Sequence, residues 1–236
     1  MTIKAITFDF WKTLYQDNRG ETRHKIRMDA FVRHTGLSYD EVTAASRLVF
    51  QEFERVHKEE QVTLGPHDKV RLMMRELKTQ VSEDAALELA EISATAIVVH
   101  PPDPVEGAVE AVKKTAEKLP IGIISDTATS PGRCLRQLLE RDGILNLFGT
   151  LTFSDEVGVA KPQAPMFELT AQNLGVEPEE MLHIGDLEYT DILGIQRAGG
   201  KAGLFAGYND VYLEETKADY VFRSWAEFLV FLEGLP

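Results

Sequence analysis

Four stretches of this chain run through apolar residues and finish on a side chain able to do chemistry. The run from Ile3 to Phe10 carries Asp9 near its end, and Ile121-Gly122-Ile123-Ile124 leads into Ser125 and Asp126. Leu151-Thr152-Phe153 precedes a turn that reaches Lys161, and Met181-Leu182-His183-Ile184 leads into Gly185-Asp186, with Asp191 shortly after. A carboxylate can attack an electrophile in line and carry the transferred group as an ester or acyl-phosphate. A pair of carboxylates can share a hard divalent cation, which prefers oxygen ligands. A lysine can neutralise developing charge, and a serine hydroxyl can donate to a transferring oxygen. Taken singly, each of these residues is most simply a turn, a cap or a surface charge. Their succession is what points to a site.

Short β-forming runs read as buried parallel strands, with Lys201 to Phe205 and Tyr220 to Phe222 as later, shorter ones. Helical patterns lie between them: Pro104 to Lys118, Pro165 to Leu174 closed by Gly175, and Tyr189 to Ala198 closed by Gly199-Gly200. Trp225, Phe228 and Phe231 fit a terminal helix packed on the sheet. This alternation predicts an α/β fold with a doubly wound parallel sheet, in which ligands bind beyond the carboxyl ends of the strands. Asp9, Ser125, Lys161 and Asp186 all fall at such ends.

The segment from about Asp17 to Ile97 contains no convincing strand. Met28, Phe31, Val32 and Thr35 share one face, and Val42, Ala45, Val49, Phe53 and Val56 another, behind a capping box of Ser38 and Glu41. Val70, Met73, Met74 and Leu77 form a third stripe after Pro66, and Ala86, Leu89, Ala90 and Ser93 a fourth. Four amphipathic helices make a small bundle, and Pro101-Pro102-Asp103-Pro104 marks the return to the core. The expected division is an α/β core from residues 1–15 and 100–236, with an inserted four-helix cap over 16–99.

The motifs Phe8-Asp9-Phe10-Trp11-Lys12-Thr13-Leu14, Ile124-Ser125-Asp126, Lys161-Pro162 and Gly185-Asp186 with Asp191 together resemble, in order and spacing, the four motifs of the haloacid-dehalogenase superfamily. The resemblance covers nearly the whole chain, including the helical cap after the first motif. It implies a Rossmann-like core and a hydrolase with Asp9 as nucleophile. It also implies Mg²⁺ held by Asp9, Asp186 and the backbone carbonyl of Trp11. Asp191 would orient Lys161 or a metal-bound water. Substrate contacts would come from Trp11, Thr13, Ser125, Asp126 and Lys161. The implied activity is phosphatase action on a small, anionic, phosphorylated metabolite through a phospho-Asp9 intermediate.

One position departs from the pattern. Phosphatases of this family carry a second aspartate two residues after the nucleophile, as acid for the leaving oxygen and base for water. Here that residue is Trp11, and indole cannot exchange a proton near neutral pH. Asp17, His24 and Lys25 of the cap, and Asp126 of the core, are alternative sources of a proton. The 2-haloacid dehalogenases place an aromatic residue at this position, so a dehalogenase-like hydrolase is one alternative reading, and a weakly catalytic protein that binds a phosphorylated ligand is another.

The 236 residues carry a formal net charge of −13 with 44% hydrophobic content. Such a surface repels phosphate backbones and anionic lipid, which excludes nucleic acid and membrane as expected partners. No apolar run approaches the ~20 residues of a membrane helix, and no secretory signal is legible. A single cysteine, Cys134, forms no internal disulfide and fits a cytoplasmic location. The sequence carries no signal of oligomeric state.

Overall fold

The structure, a computed structural model, describes residues 2–235. Six parallel strands form one sheet in the order β3-β2-β1-β4-β5-β6. They are β1 (Ala5–Phe8), β2 (Ile121–Ser125), β3 (Thr150–Phe153), β4 (Met181–Gly185), β5 (Lys201–Phe205) and β6 (Tyr220–Phe222). Helices cover both faces, so β1, β2 and β4 are buried along their whole length and read as continuous apolar runs without alternation. The chain steps outward from β1 to β3, then returns to place β4 on the other side of β1. That reversal opens a crevice between the carboxyl ends of β1 and β4.

Strand β1 is shorter than the apolar run that contains it. Asp9 still donates its amide to Ile184 O at 2.8 Å, but the carbonyl of Phe10 accepts from Leu14 and Tyr15, so the chain turns immediately after Asp9. The carboxylate is thereby delivered at the sheet edge.

Between β1 and β2 lie α1 (Gly20–Thr35), α2 (Tyr39–Arg55), α3 (Pro66–Glu76) and α4 (Glu83–Val99). Helix α2 opens on the expected capping box: Ser38 Oγ accepts from Glu41 N, and Ser38 N donates to Glu41 Oε2 at 2.9 Å. The four helices bury a cluster of their own, including Met28, Phe31, Val42, Val49, Val70, Met73 and Leu89. Fully burying a side chain of this size contributes ~1.5–3 kcal/mol, which is what holds these amphipathic segments helical. The chain leaves and re-enters the core side by side, through Val105 N to Leu14 O and Gln16 N to Asp103 O, both at 2.9 Å.

The remaining helices are α5 (Ala108–Ala116), α6 (Gly132–Arg141), α7 (Ser154–Val157), α8 (Ala164–Leu174), α9 (Leu193–Arg197) and α10 (Trp225–Glu233). Helix α5 starts later than Pro104, because Val105 is committed to Leu14 and Gly107 takes a left-handed φ of 81° before the first turn. Helix α6 carries an amphipathic stripe that the sequence reading passed over. The expected helix from Tyr189 is divided: a wide π-type turn, Glu188–Ile192, precedes α9. Among the described residues no helix is long and apolar enough to cross a membrane.

Candidate active site

The crevice between β1 and β4 gathers three buried carboxylates, those of Asp9, Asp186 and Asp191, each offering an oxygen within 4.8 Å of the others. Lys161 reaches them from the turn after β3. Its Nζ donates to Asp9 Oδ1 at 2.7 Å, to Asp191 Oδ1 at 2.5 Å and to Ile124 O at 3.1 Å, so all three ammonium protons are used. Burial alone would favour the neutral amine, but Asp191 and Asp9 outweigh it and hold the Lys161 pKa above its ordinary value.

Asp191 is fixed on both oxygens. Oδ1 takes Lys161 and His183 Nε2 at 3.1 Å, while Oδ2 accepts from Leu187 N at 3.0 Å. Burial works against its charge, yet Lys161 and His183 keep the carboxyl well below the usual carboxylate range. The π-type turn brings Asp191 back against Gly185, where a Cβ would lie 2.2 Å from the Asp191 carboxyl carbon. Only glycine admits that approach. His183 is the second buried support. Burial keeps it neutral, so Nε2 donates to ionised Asp191 and Nδ1 accepts from Thr7 Oγ1 at 2.9 Å. The sequence reading took His183 as a strand residue; a histidine inside an otherwise apolar parallel strand, which must find partners when buried, was the available signal.

The other two carboxylates keep open valences. Lys161 occupies only Oδ1 of Asp9, and Asn209 Nδ2 occupies only Oδ2 of Asp186, at 2.7 Å. Asp9 Oδ2, Asp186 Oδ1 and the carbonyl of Trp11 accept no hydrogen bond among the described residues. Burial, with Asp191 and Asp9 nearby, pushes the Asp186 carboxyl up to about 7, and burial raises Asp9 as well. Three carboxylates against one ammonium leave a formal charge of −2 in a buried space. Hard oxygen donors, open lone pairs and uncompensated negative charge fit a divalent cation such as Mg²⁺.

These groups open onto a cavity of about 520 Å³ bounded by the sheet and the helical insert. Asp9, Trp11, Asp126, Lys161, Asp186 and Asp191 line it together. Ser125 and Thr13 are fully buried and stand outside that lining; the Ser125 hydroxyl makes only a long 3.4 Å bond to Asp126 O, and Thr13 Oγ1 has no partner among the described residues. Trp11 is half-buried, its ring edge-on to Phe10 at 5.2 Å, in a tight turn where Lys12 adopts φ 56° and donates to Tyr15 O.

The candidate proton sources separate clearly. Lys25 is exposed and paired with Asp29 at 2.7 Å, away from the cavity. Asp17 is on the cavity wall but exposed, and His24 lines a neighbouring cavity instead. Asp126 is a wall residue whose Oδ1 accepts from Lys161 N at 2.9 Å, and burial pushes its carboxyl up to about 7, Lys161 only partly opposing this. Its Oδ2 lies 3.6 Å from Nε2 of His57, a cap residue that also lines the cavity and whose pKa burial lowers. His57 was not singled out from sequence.

A family profile described as haloacid dehalogenase-like hydrolase matches residues 3–199. The chain is 32% identical to a phosphoglycolate phosphatase of Pasteurella multocida over 127 residues, covering 52% of this chain and 56% of that protein. Among solved structures, a 2-haloacid dehalogenase from Pseudomonas syringae pv. Tomato DC3000 superposes with a TM-score of 0.74 at 16% identity, covering 98% of this chain and 99% of that one. A magnesium-bound HAD-hydrolase, YfnB of Bacillus subtilis, superposes with a TM-score of 0.69 at 18% identity and the same coverage. These structural likenesses establish a shared fold.

Proposed function

Because the chain belongs to the haloacid dehalogenase-like hydrolases, we propose that it is a Mg²⁺-dependent phosphatase that passes the phosphoryl group of a small metabolite to Asp9 and then to water. The observation that carries this reading is the pair of open carboxylate oxygens on Asp9 and Asp186, set beside a lysine that is itself fully engaged. Asp9, Asp186 and the Trp11 carbonyl would hold the cation. When bound, it offsets the charge that otherwise repels a phosphate dianion.

In the first step the Asp9 carboxylate attacks phosphorus and the P–O bond to the leaving alkoxide breaks. Lys161 holds Asp9 in place and stabilises charge spreading onto the transferring group. Ser125 lies fully buried behind the Asp126 wall, so its weakly engaged hydroxyl would donate to a phosphoryl oxygen only if that wall shifts to admit it. Asp191, held by Leu187 N and His183, positions the Lys161 ammonium. Trp11 cannot supply the proton, so we assign that role to Asp126, with His57 beside it. Asp126 protonates the departing oxygen. As the carboxylate, it then takes a proton from the water that cleaves phospho-Asp9. The match to a phosphoglycolate phosphatase supports a phosphomonoester substrate class, over about half of that relative.

Incubation with acetyl phosphate and Mg²⁺, followed by peptide mass spectrometry, tests the reading. A phosphate adduct on Asp9 that Asp9→Asn abolishes is expected. No adduct and no phosphate release from any activated phosphate would overturn it. The aromatic Trp11 keeps one rival in the same assay set: chloride release from 2-chloropropionate in the presence of a chelator would identify a dehalogenase instead.

A further inference from the structure

Behind the catalytic cavity lies a larger one of about 800 Å³, lined mainly by α1, α2 and the loop that leads into α3, with Lys69 the one residue of α3 on its wall. The two share Arg27, Phe50, Glu54, His57, Asp126 and Thr127 as walls, so they form one continuous space. That space is far larger than a phosphoryl group needs, and it reaches deep into the helical insert.

The unusual resident of the inner cavity is Lys69 on α3, a lysine with 8% of its surface exposed. Among the described residues its ammonium has neither an ion pair nor a hydrogen bond. The carboxylates on the same wall are already engaged: Glu54 pairs with Lys58 at 2.9 Å, and Asp126 accepts from Lys161 N. Arg27 on α1 adds a second cation, whose guanidinium donates to Ser93 O at 3.0 Å and Ser130 Oγ at 3.4 Å, meets no carboxylate among the described residues and keeps its other N–H donors free. Arg47 and His24 complete the basic lining.

A largely buried ammonium that faces only the cavity and lacks a counter-ion is costly, and it stands out in a chain whose formal charge is −13. The cost is offset when a ligand supplies the anion. Building on the phosphatase reading above, we infer that the inner cavity is a subsite for a second anionic group of the substrate, a carboxylate or phosphate remote from the scissile phosphoryl, received by Lys69 with Arg27. The substrate class is therefore a phosphomonoester with a negative charge at its far end. An alkyl phosphate with no charge at its far end would leave Lys69 unpaired. Burial holds that lysine at about 7, so an arriving anion also draws a proton onto it.

The test uses hydrolysis-resistant phosphonates, so that it reads binding whether or not the protein turns over phosphate. Calorimetry with Mg²⁺ present compares ω-carboxyalkyl phosphonates of increasing chain length with the matched ω-hydroxyalkyl phosphonates. The carboxylates should bind at least tenfold tighter at one preferred length, and Lys69→Met should collapse that ratio towards one. Thermal unfolding of the same variant separates subsite from scaffold: a lysine kept for a ligand gives a higher Tm when replaced by methionine, whereas a structural one gives a lower Tm. Equal binding of both series at every length, or a ratio that survives Lys69→Met, would overturn the subsite. Failure of the acetyl phosphate assay with a preserved ratio would overturn the phosphatase reading alone.

Discussion

Nε2 of His57 stands 3.6 Å from Oδ2 of Asp126, and this is where the helical insert meets the reaction end of the sheet. Asp126 leaves β2 just after Ser125 and is anchored by Lys161 N, while His57 belongs to the π-type turn that prolongs α2. The pair therefore exists only when insert and core are docked. Ala160 N to Gln61 O at 2.8 Å and the Thr63–Ser154 hydroxyl contact at 2.6 Å hold them so.

If Asp126 is the acid, its protonated form is the active one in the first step. Burial raises its pKa to about 7, so the protonated fraction falls as pH rises through 7. At saturating Mg²⁺, turnover of an alkyl phosphate should decline above about pH 7, while turnover of acetyl phosphate, whose leaving group needs little protonation, should not. Asp126→Asn should lower the alkyl phosphate rate by roughly 10²–10⁴-fold. It should slow the formation of phospho-Asp9 from acetyl phosphate far less, while breakdown of that intermediate slows with either substrate. Parallel pH–rate profiles for the two substrates would remove Asp126 from this role.

Restoring a carboxylate at position 11 provides a complementary check. Trp11 packs against Phe10, which stacks on Tyr15 at 4.4 Å, so Trp11→Asp should lower Tm by several degrees. In the wild-type background it should add little alkyl phosphatase activity, because Asp126 already serves. In the Asp126→Asn background it should recover at least tenfold. The double variant measured on one alkyl phosphate decides; no recovery would mean that the proton comes from elsewhere in the cavity.

Much of this site is legible in the sequence because a parallel strand buried on both faces has a simple signature. An apolar run stops, and the first polar residue after it is delivered at the sheet edge. Asp9 and Asp186 were readable on that ground, whereas Lys161 lies beyond the turn and short helix after β3 and was readable through the order of the four motifs. The capping box of α2 was readable too. His57 and Lys69 were not. Amphipathic periodicity assigns residues to faces, and a charged residue near a helix edge defaults to solvent. Here the π-type turn at Val56–Glu60 alters the register so that His57 turns to the cavity, and a cavity between α1, α2 and the adjoining loops makes an interior of what periodicity takes for a boundary. Asp191 needed the same kind of local irregularity, the wide turn at Glu188–Ile192, to fold back against Gly185.

The formal charge of −2 on Asp9, Asp186, Asp191 and Lys161 makes the fold itself report on cation binding. Mg²⁺ at a hundred times its Kd should stabilise the folded state by ~2.7 kcal/mol. For a chain of this size that is a rise in Tm on the order of 5–10 °C. Asp186→Asn should abolish most of the rise and at the same time raise the Tm measured in chelator, because it removes one of three mutually repelling carboxylates. A Tm insensitive to Mg²⁺ in the wild type would argue against a cation at this site.

Lys69 makes an opposite kind of prediction, in which removing a charge stabilises the protein by an amount set by pH. An ordinary lysine titrates near 10.5, and burial lowers this one to about 7 in the folded state. Between those values the unfolded chain binds more protons than the folded one, so the contribution of Lys69 to stability improves as pH rises from 7 towards 10.5. Its penalty is complete below about 7, where it amounts to roughly 5 kcal/mol. Lys69→Met should therefore raise Tm most at pH 6, less at pH 8.5, and hardly at all near pH 10. A carboxyalkyl phosphonate should narrow the gap at neutral pH by giving the wild-type ammonium its partner. Matching Tm values for the two proteins from pH 6 to 10 would mean that Lys69 reaches water and is not held for an anion.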